Sequence, residues 1–113
     1  MLAPGSQLAQ VQGTTSAATL FTATLRTEIK SIKICNPTGS AATFRLFHDD
    51  DGSTYGSATA LYFDVAVASK QTLSLDAEFN AGVNVAINGT LGFECSVSNA
   101  LTVSVYGVVQ SAR

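Results

Sequence analysis

Apolar and polar side chains alternate through residues 101–109, which read LTVSVYGVV. In a β-strand, successive side chains point to opposite faces, so alternation is typical of a strand with one buried and one solvated face. Leu101, Val103 and Val105 share one face, and the polar residues between them share the other. The same period recurs over residues 83–88, and no stretch between residues 20 and 109 carries a helical apolar stripe. The sequence therefore predicts an all-β protein.

Turn residues divide the chain into about eight strands. Pro37 lacks an amide hydrogen and interrupts any continuing ladder. Asn88-Gly89 is the strongest hairpin signal in the chain, because a type I′ turn favours residues that tolerate positive φ. The predicted strands cover residues 17–26, 28–36, 41–48, 58–67, 70–76, 82–88, 90–97 and 100–110. This count is typical of a two-sheet fold, so we predict an antiparallel β-sandwich of jelly-roll type.

The first residues differ from the rest. Residues 1–13 contain only three large apolar side chains after Met1, namely Leu2, Leu8 and Val11. A segment with so little to bury does not fold alone. We therefore predict an N-terminal arm over residues 1–13, either disordered or docked on a neighbouring subunit, followed by a single β-sandwich domain over residues 14–113.

The chain is poor in charge. Charged residues make up 12% of its 113 residues, against about 25% in typical proteins. Burying such a surface has a lower desolvation cost, and charges are depleted at interface cores. Composition therefore favours a subunit of an assembly over a freely diffusing enzyme.

Charge and hydropathy also limit the partners. The net charge is −2 and the six basic residues are scattered, which argues against a nucleic-acid partner. No apolar run approaches 18 residues, so no membrane-spanning helix is expected. The N-terminal sequence lacks the basic and apolar regions of a signal peptide, which predicts synthesis in the cytoplasm.

The two cysteines are not expected to pair. Cys95 lies between Phe93 and Val97 on an apolar face and is predicted to be a core residue. Cys35 shares a face with Lys33 and points away from that core. Two reduced thiols fit a cytoplasmic protein, and without a C-x-x-C spacing no metal site is predicted.

No catalytic or cofactor motif stands out. His48 is the only histidine, and no Gly-x-Ser-x-Gly elbow accompanies it, so we predict a structural role and no enzymatic activity. The acidic run 49–51 invites a calcium interpretation, but Ala58 occupies the place of the glutamate that closes an EF-hand loop. We interpret the run as a solvated turn and predict no bound metal or cofactor.

Three aromatic residues fall on the face expected to be solvated: Phe47, Tyr62 and Tyr106. Aromatic side chains in this position indicate a face that something covers. The alternative is that the alternation shifts at a β-bulge, or that both faces of a central strand are buried. The sequence leaves both interpretations open.

Three segments carry a resemblance: residues 26–32 (RTEIKSI), 35–44 (CNPTGSAATF) and 47–52 (FHDDDG). Together they resemble small all-β virion proteins of tailed bacteriophages, of the capsid cement or decoration type. The resemblance implies a location in the virion, a contact with the major capsid protein and a homo-oligomer, often a trimer. It implies no catalytic residues.

The expected function is therefore that of a capsid decoration subunit that stabilises the shell. The predicted contact residues are Leu2, Leu8 and Val11 in the arm, and Phe47, Tyr62 and Tyr106 on the covered face. One alternative is a neck, tail or baseplate component. An alternative from another class is a carbohydrate-binding module with Tyr55 stacking on sugar, against which the absence of tryptophan counts.

Overall fold

A computed structural model describes residues 6–75 and 83–109 of the chain. Within these residues the chain forms nine β-strands and one short 3₁₀ helix, Ser57–Thr59. The strands are β1 (Ser6–Gln12), β2 (Ala18–Thr22), β3 (Thr27–Cys35), β4 (Ala42–Asp49), β5 (Ala60–Val67), β6 (Thr72–Ser74), β7 (Val83–Val85), β8 (Thr90–Cys95) and β9 (Thr102–Val109).

The described strands form two sheets. The five-stranded sheet has the order β1-β9-β3-β6, and β7 also pairs with β3. The four-stranded sheet has the order β2-β8-β4-β5. All strand pairs within the described residues, 6–75 and 83–109, are antiparallel. The prediction of an all-β antiparallel sandwich is confirmed.

One apolar layer contains side chains from both sheets. Its fully buried members include Ile29, Ile32, Ile34, Phe44, Leu46, Leu91, Val103 and Val105. The rings of Phe44 and Phe93 stack with their centroids 5.8 Å apart, which joins β4 to β8 within this layer. Full burial of one such side chain contributes about 1.5–3 kcal/mol to stability. The alternation therefore also predicts most of the side chains that form the core, with β5 as the exception described below.

The segment expected to be an arm differs from the prediction. Ser6–Gln12 forms β1, the edge strand that pairs with β9 of the same chain. Leu8 packs against the core cluster, and Val11 is 37% exposed. Pairing with β9 supplies backbone hydrogen bonds that the segment lacks in isolation, so few apolar side chains suffice. Leu2 lies outside the described residues.

The Asn88-Gly89 turn also differs from the predicted hairpin. Its flanking strands, β7 and β8, belong to different sheets, so the turn is a crossing between them. Asn88 does adopt positive φ (71°), as the sequence pattern indicates. The turn is held by Ala23, whose backbone N–H donates to the Gly89 oxygen at 3.0 Å and whose oxygen accepts from the Asn88 N–H at 2.7 Å.

Asn36 is a buried polar residue that fixes the turn between β3 and β4. Its Nδ2 donates to the backbone oxygens of Ser40 (2.9 Å) and Val67 (3.0 Å). Its Oδ1 accepts from the backbone N–H (3.0 Å) and the hydroxyl (2.7 Å) of Thr38. The side chain is completely buried, so the turn and the end of β5 depend on this one amide.

We expect Asn36→Ala to lower the free energy of unfolding by about 3 kcal/mol, because it leaves buried backbone groups without partners. Urea unfolding followed by circular dichroism measures the change. Asn84→Ala is the matched control, since Asn84 is exposed. Equal stability of the two variants would contradict this account of the turn.

Candidate functional site

Phe47 lies on the outer face of the four-stranded sheet, as its position in the alternation predicts, yet only 1% of it is exposed. The ring of Tyr55 stacks on it with a centroid distance of 5.8 Å and an interplanar angle of 30°. The loop that follows β4 therefore covers this aromatic residue. Phe47 does not reach the surface of the chain.

Gly92 on β8 allows Tyr55 to lie flat on the sheet. A Cβ atom at Gly92 would stand 2.6 Å from Cδ1 of the Tyr55 ring. The Tyr55 hydroxyl shares a hydrogen bond of 2.8 Å with Oγ1 of Thr19 on β2. The ring thus packs on the sheet of its own chain, which differs from the free stacking platform that the carbohydrate alternative assumed.

We expect Gly92→Ala to displace the Tyr55 ring and to lower the free energy of unfolding by about 1–3 kcal/mol, the usual effect of overpacking. Chemical denaturation measures the loss, and tyrosine fluorescence reports the ring's new environment. Gly56→Ala is the control, because no atom lies within 4 Å of the added Cβ. A Gly92→Ala protein as stable as Gly56→Ala would show that the ring is not held there.

Tyr62 faces the core. Phe44 of β4 pairs with Val65 of β5, and Leu46 pairs with Tyr62. A step of two residues on β4 thus matches a step of three on β5, so β5 contains one extra residue at this point. Asp64 within this bulge has positive φ (56°). The Tyr62 ring lies 6.1 Å from that of Phe44. Of the two interpretations of the outer aromatic residues, the bulge is the correct one for Tyr62.

The same bulge leaves two apolar side chains at the surface. Leu61 is 44% exposed and Phe63 is 48% exposed. Alternation without the bulge places both on the buried face. The position of this shift does not follow from the alternation, since it lies where the backbone at Asp64 takes a positive φ.

Tyr106 lies on the outer face of the five-stranded sheet, where it is half-buried. It stands opposite Gln7 on β1 and Ser31 on β3. Gln7 Nε2 is 3.5 Å from the Tyr106 hydroxyl, and next to them Gln10 Nε2 donates to Ser104 Oγ at 2.9 Å. Uncharged amides and hydroxyls therefore surround this ring.

A charged cluster occupies the outer face of the four-stranded sheet. Arg45 on β4 donates to Asp64 through Nε (2.7 Å) and Nη2 (3.3 Å), and its Nη1 is 3.7 Å from Glu94 on β8. The guanidinium also lies 4.0 Å above the centroid of the Phe63 ring. The hydrogen bonds from Arg45 lower the pKa of Asp64, and Asp64 in turn raises the pKa of Arg45.

The three aspartates after β4 have separate partners. Asp49 accepts hydrogen bonds from the backbone N–H groups of Thr54 (2.8 Å) and Asp51 (3.2 Å), and these bonds lower its pKa. Asp50 accepts from the Ala86 N–H (2.9 Å), which lowers its pKa. The hydrogen bond and negative charge of Asp49 raise the pKa of Asp51. These contacts fit the predicted turn.

His48 is paired within this loop. Its Nε2 lies 2.9 Å from Oδ1 of Asp50, and its side chain is 17% exposed. In the part of the chain that the structure describes, no group of three or more histidine, cysteine or acidic residues is placed to hold a metal ion. The arrangement around His48 joins the loop to the strand that precedes it.

The acidic loop makes stability depend on pH. The pKa values of Asp49 and Asp50 are lower in the folded protein, so their stabilising contribution is present above the unfolded value of about 4 and is lost as pH falls through the folded values. We expect Asp50→Asn to reduce the loss of unfolding free energy between pH 5 and about pH 3. Asp51 has a raised pKa, so its negative charge destabilises the folded protein at pH 7 but not at pH 3. Asp51→Asn should therefore stabilise the protein more at pH 7 than at pH 3. Urea unfolding at each pH measures both effects. If the two substitutions changed the pH dependence of the unfolding free energy in the same direction, the opposite pKa shifts of Asp50 and Asp51 would be contradicted.

The cysteines occupy different environments. Cys95 is buried (3% exposed) and its Sγ donates to the Val97 oxygen at 3.0 Å, which confirms the predicted core position. Cys35 is half-buried on the outer face of the five-stranded sheet, opposite Thr102. Both thiols are free.

Comparison with known proteins gives no match. No family model, no curated protein and no solved structure matches this chain. Within the described residues, no helix has the length and apolar character needed to cross a bilayer.

Proposed function

We propose that this chain is a structural subunit of a tailed-bacteriophage virion, a capsid decoration or cement protein that binds the major capsid protein. The observation that supports it best is the chemistry of the outer face of the five-stranded sheet. The three segments within residues 26–52 that resemble phage virion proteins support a virion as the assembly. The virion location rests on that resemblance alone.

The outer face of the five-stranded sheet, called here the polar face, runs across four strands. Toward one end of this face, Glu28 and Lys30 on β3 form an exposed ion pair of 3.5 Å. From Tyr106 to Thr102, register places eleven side chains on it: Gln7, Gln10, Gln12, Ser31, Lys33, Cys35, Thr72, Ser74, Thr102, Ser104 and Tyr106. Lys33 is the one charged residue of this set, and its Nζ donates to Ser74 Oγ at 3.1 Å. Around Tyr106 this face shares two features with interface cores, an aromatic residue and few charges.

Low charge matters because each buried, unpaired charge opposes association. The polar groups of this face can form hydrogen bonds with a partner backbone or side chain, so their burial need not leave them unsatisfied. Stable, specific protein complexes typically bury about 1,600 Å² of surface in total. Repetition over a symmetric shell adds avidity to each contact.

The strand order supports the jelly-roll part of the proposal. If β6 and β7 are taken as one interrupted edge strand, each sheet has four positions. The orders β1-β9-β3-β6 and β2-β8-β4-β5 then follow the interleaved pattern of two four-stranded jelly-roll sheets. We also propose a homotrimer, as in the proteins that the chain resembles, which native mass spectrometry of the purified protein tests.

Deletion of the gene from the phage tests the location. We expect particles that lack surface features in electron micrographs and whose heads break more readily on heating. Re-addition of the protein should restore both at a copy number that matches the shell symmetry. Intact heads without tails, or a few copies per particle, would instead favour a neck, tail or baseplate component and overturn the decoration assignment.

A charge placed on the polar face tests the contact surface. We expect Tyr106→Glu to weaken binding to purified shells at least about tenfold, because association would bury an unpaired carboxylate. Co-sedimentation with shells measures the binding. Ser57→Glu adds the same charge at an exposed position in the loop over the other sheet and should bind normally. Equal binding by both variants would exclude the polar face.

A further inference from the structure

The charged cluster on the four-stranded sheet borders a cleft of about 150 Å³. Arg45, Asp64 and Glu94 form one side, and hydroxyl-bearing side chains lie around the rest. The residues used below are Thr15, Thr43, Arg45, Asp64, Glu94 and Ser96, and we call this site the Arg45 cleft. It lies on the outer face of the four-stranded sheet, away from the polar face.

Hydrogen-bond donors and hydrogen-bond acceptors both line this cleft. A guanidinium has five N–H donors, of which Arg45 gives two to Asp64. Each carboxylate can accept more hydrogen bonds than these pairs require. Ser96 Oγ accepts from the Thr43 N–H at 2.9 Å, which leaves the serine hydroxyl hydrogen to be donated. A ligand here meets donors and acceptors side by side.

The charges select the class of ligand. Two carboxylates and one guanidinium sum to −1, so an anion meets repulsion from Asp64 and Glu94. A cation competes with Arg45 for the same carboxylates. A neutral polyhydroxylated ring can instead donate to the carboxylates and accept from the guanidinium without breaking the ion pairs.

Apolar surface lies beside these polar groups. Phe63 is 48% exposed and contacts the Arg45 guanidinium at 4.0 Å from its ring centroid. Binding sites for small molecules combine such apolar or aromatic surface with a few oriented polar groups. Phe63 does not itself line the cleft, and its ring lies against the Arg45 guanidinium, so it helps to position the donors that a sugar hydroxyl would meet.

The backbone holds the cleft in this arrangement. Asp64 has φ of 56° within the β5 bulge, a conformation that non-glycine residues rarely adopt. Bulges next to functional sites redirect side chains, and this one directs the Asp64 carboxylate to Arg45. The pKa of Asp64 is lowered by that contact, so the carboxylate stays an acceptor in mildly acid solution.

We propose that the Arg45 cleft binds a neutral saccharide unit, with Arg45, Asp64 and Glu94 bonding its hydroxyls and Phe63 holding the Arg45 guanidinium in place. This site differs from the Tyr55 platform expected for a carbohydrate-binding module. It is also independent of the virion assignment, since none of its residues lies on the polar face.

Titration of the ¹⁵N-labelled chain with glucose, galactose, N-acetylglucosamine and maltose tests the proposal. We expect at least one sugar to cause saturable shifts in the amide signals of residues 43–45, 62–65 and 94–96, with a dissociation constant on the order of 1 mM. Glucuronate, which carries a negative charge, should bind at least about fivefold more weakly than the neutral sugar, because Asp64 and Glu94 repel it. Absence of saturable shifts with every neutral sugar would overturn the proposal.

Two variants locate the binding. Glu94→Gln keeps the side-chain size and should weaken binding about tenfold, and Thr43→Val should weaken it without altering any charge. Glu28→Gln is the control, because Glu28 forms a comparable exposed ion pair with Lys30 (3.5 Å) on the other sheet. Dispersed amide spectra confirm that each variant is folded. Unchanged affinity in both cleft variants would place the sugar elsewhere and overturn the assignment.

Discussion

The apolar layer between the two sheets constrains every other feature of this structure. Because each strand must present one face to that layer, the pleat dictates which side chains remain for the outside. Ile32 and Ile34 on β3 are completely buried, and Lys33 between them is directed to the opposite face. A strand that slipped by one residue would exchange these two sets, so burial of the core also fixes the chemistry of both outer faces.

Bulges are the places where this rule changes. On β5 an extra residue turns Tyr62 inward and leaves Phe63 exposed beside Arg45. The left-handed conformation of Asp64 makes the change possible, and its bonds to Arg45 hold it. One backbone irregularity therefore completes the core next to Phe44 and builds the charged cluster on the surface. Neither result follows from alternation alone.

Local pattern is enough to predict most of the strands and of the core, because burial of Val103 or Val105 depends on the period of a single strand. The sequence could not reveal pairings over long distances. The sequence predicts an arm where β1 lies, since the β9 residues that pair with β1 are 90 or more positions away, and it predicts a hairpin at Asn88-Gly89 although this turn crosses between sheets. The Arg45 cleft was missed for the same reason, because its members come from strands far apart in the chain.

The two outer faces now differ in a way that bears on partners. The four-stranded sheet is partly covered by its own loop, through Tyr55 on Gly92, and its remaining surface carries the ion pairs of Arg45. To remove those charges from water would cost free energy unless a partner replaced their contacts. Around Tyr106 the polar face carries amides and hydroxyls, whose hydrogen bonds to water a partner can replace, and its Glu28–Lys30 ion pair lies toward one end. The proposed protein partner is therefore assigned to the five-stranded sheet, and the proposed saccharide, which preserves the ion pairs, to the charged side.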